Sequence, residues 1–252
     1  MPKGYRSVTT RVEAGSRGSV QEWPMDKIGL LALVGGSEWT EGCTFDAALL
    51  KASGGKDVVV LPTAAAYQHP ERVVLRAAEW FEPLGAQVEG LMVLDRTSAN
   101  DPGMAAVIRG ARFVYIAGGS PLHLKSVLKG SATFEAMREA WTEGAVVAGS
   151  AAGAMVLTDP MVDPRGGALT VGLGLVDQLA VVPQFGDGVE DAHGQKLVRT
   201  VALAPTGLPV VGIPERTALL RDGDGRWRFE GAAPPVVFLD GERTEGLTVL
   251  GR

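Results

Sequence analysis

A single cysteine, Cys43, and only three histidines stand in a chain of 252 residues. No intrachain disulfide can form, which suits a reducing cytoplasm. No cluster with metal-ligand spacing is visible, so no metal is expected. Runs of Lys or Arg are absent and the net charge is −5, which argues against nucleic acid as the main partner, because phosphate binding needs clustered cations. No uninterrupted apolar run approaches the ~20 residues of a membrane span. The first 24 residues carry charges throughout and lack the apolar segment of a secretory signal. They read as a flexible or partner-docking extension, residues 1–24, ahead of a single domain over residues 25–252. The G-x-G-x-x-G spacing and the Lys-Ser/Thr ending of a phosphate loop are missing too, and no cofactor is expected.

What is present is an apolar fraction of 46%, enough for a real core, and a regular alternation. "IGLLALVGG", "DVVVLPT", "RFVYIAGGS" and "AVVAGS" are short β-branched, apolar runs. Between them lie helix-like stretches, among them "TFDAALLKAS", "HPERVVLRAAEWFEPLGA", "PLHLKSVLKG" and "SATFEAMREAWTEG". Strands alternating with helices of this length imply a largely parallel sheet covered on both faces, a three-layer α/β domain. Ligands bind such sheets outside the carboxyl ends of the strands. Three glycine-bearing ends, "VGGSEW", "IAGGSPLHL" and "AGSAAGAM", are expected to meet there. Past Gly207 the strands are closely spaced and "DGDG" marks a hairpin, so an antiparallel edge closes the same domain.

"VVAGSAAGAMVL", Val146 to Leu157, reads as a strand, a turn of tiny residues and a helix. A nucleophile elbow has this form, with small residues required on both sides of the reactive side chain. Gly149 and Gly153 flank position 151, which is alanine. A slip of one residue would place Ser150 between Ala148 and Ala152, again small on both sides, but strand alternation turns Ser150 to the opposite face.

"GSAAGAM" resembles the G-x-S-A-G-A elbow of the cyanophycinase and dipeptidase E family of serine peptidases. The resemblance extends to "VVVLPTAAAY", "VYIAGGSPLHLKSVLKG", "DPMVDPRGGALTVGLGLV", "AVVPQF" and "VVGIPERTALL", in the family's order and over roughly Ile28 to Leu220. It implies a class I glutamine amidotransferase-like fold, a homodimer, and relatives that act on aspartyl or β-aspartyl-arginine peptides. It also assigns positions. Ala151 stands where the family has its serine, Gln184 where it has its histidine, and Glu215 keeps the carboxylate, with Asp159 or Asp163 as other places for the acid. The oxyanion donors are the amides of Ala152 and of Gly118 or Gly119, with Ser120 beside them. Arg216, Arg165 and Lys125 are candidates to hold a ligand carboxylate.

Alanine supplies no nucleophile, and glutamine cannot act as a general base near neutral pH. The expectation is a peptidase-like protein with an incomplete triad that binds a small acidic or peptide-like ligand, or a partner, without triad hydrolysis. The other readings are an active hydrolase seen with Ala151 in place of serine or using Ser150, and a regulatory subunit docked through its N-terminal extension. His193, the first histidine beyond Gln184, reads as a solvated residue at a helix start, as does His69; His123 reads as a helix-face residue.

Overall fold

The computed structural model describes residues 28–186 and 192–251. The expected extension, residues 1–24, lies outside the described residues, as does the side chain of His193. The chain runs β1 (Leu31–Val34), α1 (Phe45–Ser53), β2 (Asp57–Leu61), α2 (Pro70–Phe81), β3 (Gln87–Gly90), α3 (Pro102–Gly110), β4 (Phe113–Ile116), α4 (Pro121–Leu128), α5 (Ala132–Thr142), β5 (Val146–Ser150) and α6 (Ala152–Leu157). Four two-residue strands follow, β6 (Thr158–Asp159), β7 (Met161–Val162), β8 (Leu169–Thr170) and β9 (Val176–Asp177). The remainder is β10 (Ala180–Pro183), α7 (Ala192–Leu203), β11 (Val210–Ile213), β12 (Thr217–Arg221), β13 (Trp227–Gly231), β14 (Val236–Leu239) and β15 (Glu242–Thr244).

Seven strands form the main sheet in the order β13-β12-β1-β5-β4-β2-β3. The five from β1 to β3 in that order are parallel, and β12 and β13 add an antiparallel edge. At the centre of the sheet both faces are buried, which is why β1 (LALV) and β4 (FVYI) are apolar at every position rather than at alternate ones. Leu31 and Leu33 of β1, with Val114 and Ile116 of β4, join the core under α3, α4, α5 and α6. Ala32, Val34, Phe113 and Tyr115 point the other way, into the core under α1 and α2. The result is the three-layer α/β domain implied by the sequence.

The strands after Gly207 divide between two sheets rather than closing one. β12 and β13 join the main sheet through the hairpin at Asp222–Arg226, whereas β11 pairs parallel with β10 and antiparallel with β14. The resulting sheet, β10-β11-β14-β15, packs with α7 around Val182, Leu197, Leu208 and Val210. Strand spacing alone does not say which neighbour a strand takes. Among the described residues no helix is long and apolar enough to cross a membrane.

Candidate active site

The parallel register aligns Val34 with Ser150 and Ile116 with Gly149, so β1, β4 and β5 end together at one edge. There the chain turns from β5 into α6 at Ala151, which holds φ 47° and ψ −103°. That conformation is strained for a residue with a Cβ and costs about 1–3 kcal/mol. The turn is tight because its glycines are in contact. A Cβ on Gly149 would lie 2.7 Å from the Gly153 carbonyl carbon, and one on Gly153 would lie 2.7 Å from the Ile116 oxygen. The small flanking residues of the elbow are therefore a steric requirement.

Three successive carbonyls at the end of β1 organise the surroundings. Val34 accepts the Ala151 N–H at 2.9 Å, Gly35 accepts the Gln184 N–H at 2.7 Å, and Gly36 accepts the Arg216 N–H at 2.9 Å. All three donors have positive φ, 47° at Ala151, 57° at Gln184 and 55° at Arg216. The Gln184 side chain lies over Gly36, whose missing Cβ would sit 2.9 Å from Gln184 Cγ. The backbone thus gathers Ala151, Gln184 and Arg216 around one strand end. Glu215, beside Arg216, is exposed, and its carbonyl accepts a long hydrogen bond from Thr217 Oγ1 at 3.4 Å.

Gly118 and Gly119 follow β4 and face the elbow. A Cβ on Gly118 would meet Ala151 Cβ at 3.4 Å, and one on Gly119 would strike the Ala64 carbonyl at 2.4 Å. Ser120 caps α4, its hydroxyl accepting the His123 N–H at 3.3 Å with Pro121 at the first helical position. His123 contacts the Leu94 carbonyl through Nε2, and His69 sits at the start of α2 beside Glu71.

Glu38 was not anticipated. Its Oε1 accepts the Gly118 N–H at 3.2 Å and its Oε2 accepts the Ser150 hydroxyl at 2.8 Å. Glu38 therefore joins all three glycine-bearing strand ends. The neighbours Ser37 and Trp39 both adopt positive φ, 50° and 59°, and the Ser37 carbonyl is held by Thr40 Oγ1 at 2.6 Å. Ser150 is fully buried with its hydroxyl committed to Glu38, while Ala151 is partly exposed. The acid three residues past the first glycine of "VGGSEW" is the only local signal for Glu38.

Behind Glu38 lies a polar group inside the second core. Asp46 is buried and accepts Trp80 Nε1 at 2.9 Å through Oδ2. Burial chiefly, with a further contribution from the Glu38 charge, pushes the Asp46 carboxyl up to about 8 against the Trp80 hydrogen bond. Burial also raises the Tyr115 phenol and the Cys43 thiol above their ordinary ranges. A raised, buried thiol is a poor nucleophile. Among the described residues no three His, Cys, Asp or Glu side chains are placed to hold a metal ion.

Asp159, Asp163 and Arg165 make other contacts. Asp159 Oδ1 accepts the Gly172 N–H at 2.9 Å. Asp163 pairs with Arg165 at 2.6 Å, which holds its carboxyl down at about 2. Arg165 is thereby compensated within its own loop, whereas Arg216 forms no ion pair among the described residues. Grooves of about 590 and 550 Å³ run along β13 and the β14–β15 hairpin; they are open surface features and no elbow residue lines them.

The pattern of peptidase family S51 matches residues 31–227, from β1 to the start of β13. The chain belongs to peptidase family S51. This S51 chain is 26% identical over 212 residues to cyanophycinase of Synechococcus elongatus, covering 81% of the chain and 66% of that protein. It is 27% identical over 176 residues to cyanophycinase of Trichormus variabilis, covering 67% and 58%. The matched region thus spans less than two thirds of these relatives' length. Among solved structures, a peptidase from an acI-B1 actinobacterium superposes with TM-score 0.74 at 27% identity, over 88% of this chain and 98% of that one. A protein described as a peptidase E of Listeria monocytogenes EGD-e gives TM-score 0.62 at 18% identity, over 81% and 99%, a likeness of fold alone.

Proposed function

We propose that this S51 chain does not hydrolyse through a Ser-His-Glu triad and instead binds a small acidic or peptide-like ligand at the elbow, as a cytoplasmic homodimer. The pairing of Ala151 with Gln184 carries this reading. Suspended from adjacent carbonyls of one strand end, the two side chains offer neither a nucleophile nor a group that titrates near neutral pH. The parts that need only backbone remain: the Ala152 amide at the head of α6 and the Gly119 amide serve as donors to a ligand oxygen, the Gly118 amide being engaged by Glu38. Arg216, at the rim and without an acid partner among the described residues, is the group to hold a ligand carboxylate. Glu215 is retained beside it without a histidine to orient.

The test is a fluorophosphonate serine probe applied to the full chain, alongside an assay with a β-aspartyl-arginine dipeptide. Neither labelling nor turnover is expected. Labelling at Ser150, or turnover of the dipeptide, overturns the reading. A second reading, an active hydrolase seen with Ala151 in place of serine, is favoured by the strain held at Ala151, which an alanine there does not need. Robust hydrolysis by A151S alone would establish it.

A further inference from the structure

Among the described residues, Glu38 is a partly buried carboxylate served only by neutral donors. The Gly118 amide uses one lone pair of Oε1 and the Ser150 hydroxyl one lone pair of Oε2. A carboxylate offers about four acceptor sites, so each oxygen keeps one free. Among the described residues no Lys, Arg or His forms an ion pair with it. Its charge reaches inward uncompensated, contributing to the raised Asp46 carboxyl and Tyr115 phenol. A partly buried carboxylate without a charged partner is stabilised further by a counter-charge that brings hydrogen-bond donors.

The place for that counter-charge is the elbow tip. Glu38 Oε1 and Ala151 Cβ lie 3.3 and 3.4 Å from the same point, the position of a Cβ on Gly118. A serine at 151 would carry its hydroxyl on this Cβ, whereas alanine puts no polar atom there. Ala151, Gly118 and Glu38 are all partly exposed, so the position is open to solvent. A negative floor opposes a ligand carboxylate at the tip itself. Among the described residues no three His, Cys, Asp or Glu side chains are placed to hold a divalent metal, and a guanidinium is wider than the hydroxyl that a serine would carry. A primary ammonium group matches in size, charge and donors.

We propose that the tip at Ala151 binds a primary ammonium group of the ligand, paired with Glu38. The assignment rests on the binding reading above and adds to it an orientation: an amine end on Glu38 and a carboxylate end toward Arg216, as in a zwitterionic amino acid or peptide. The size of the tip then sets specificity, since a trimethylated amine has no N–H to donate and does not fit.

Methylammonium is the probe, titrated into the ¹⁵N-labelled full-length protein. Saturable shifts of the Gly118 and Ala151 amides are expected, with Kd on the order of 10 mM for so small a ligand. Tetramethylammonium and acetate at matched ionic strength should leave both amides unmoved. A151S, which fills the tip and leaves Glu38 in place, should weaken binding about tenfold, as should E38Q. Absence of saturable shifts in the unsubstituted protein, or equal affinity in A151S, overturns the proposal; if E38Q does not fold, A151S decides alone. Serine-probe labelling would overturn the non-hydrolytic reading and leave ammonium binding standing. Lost ammonium binding in a probe-silent protein overturns only the ammonium site.

Discussion

Ala151 and Gln184 hang from neighbouring peptide carbonyls, Ala151 from Val34 at 2.9 Å and Gln184 from Gly35 at 2.7 Å. Both take positive φ to do so. Thirty-three residues separate them in the chain, yet one strand end holds both backbones. The frame that holds these two positions is therefore built by main-chain hydrogen bonds, which do not depend on the side chains at either position. Changing those side chains can remove chemistry without removing the frame.

A151S alone should restore little activity, because Gln184 accepts no proton at neutral pH. The double variant A151S/Q184H should exceed A151S in kcat/KM for a β-aspartyl-arginine dipeptide by about 10²–10⁴-fold, the usual contribution of a positioned general base. Equal activity in the single and double variants would show that another group serves as base.

A151G should stabilise the protein. Glycine reaches φ 47° without the Cβ clash that strains alanine. Relief of about 1 kcal/mol corresponds to a rise in Tm of about 2–4 °C for a chain of this size. A fall in Tm would mean the elbow is not strained as its dihedral angles indicate.

G153A should destabilise it. Alanine is the better helix former by about 1 kcal/mol, but here its Cβ would lie 2.7 Å from the Ile116 oxygen and 3.2 Å from Ile116 Cβ. The contact is with backbone and a rigid β-branched side chain, so β4 or α6 must shift. Overpacking of this kind costs about 1–3 kcal/mol or more and outweighs the propensity gain. Thermal melts should show a lower Tm; an unchanged Tm would place α6 further from β4 than found.

D46N should alter the pH dependence of stability. Asp46 has its folded carboxyl pushed up to about 8 from an ordinary 3.8. The folded protein then holds a proton that the unfolded chain releases above about pH 4, so the stability due to this group is complete below pH 4 and declines as pH rises to about 8. Asparagine keeps an oxygen for Trp80 Nε1 and does not titrate. The Tm of D46N relative to the unsubstituted protein should therefore climb between pH 5 and 8. A constant difference across that range would contradict a neutral Asp46.

The architecture was largely legible in the order of residues. Apolar strands such as "LALV" and "FVYI" are buried on both faces, and continuous apolar runs separated by helices have few other solutions than a covered parallel sheet. The division of the last strands was not legible. β11 and β12 are neighbours in sequence, and only the packing of α7 and β10 against β11 sends them to different sheets.

At the site the same boundary holds. The chain's order of residues alone determined the tiny-residue elbow and the alanine and glutamine at 151 and 184, because an elbow is a local steric demand met within Gly149 to Gly153. The tertiary structure alone decided the role of Glu38, whose partners Gly118 and Ser150 lie 80 and 112 residues away. A carboxylate near a strand end carries no local mark of what it will bond. Its meaning came when β1, β4 and β5 ended at one edge and brought Gly118 and Ser150 within its reach.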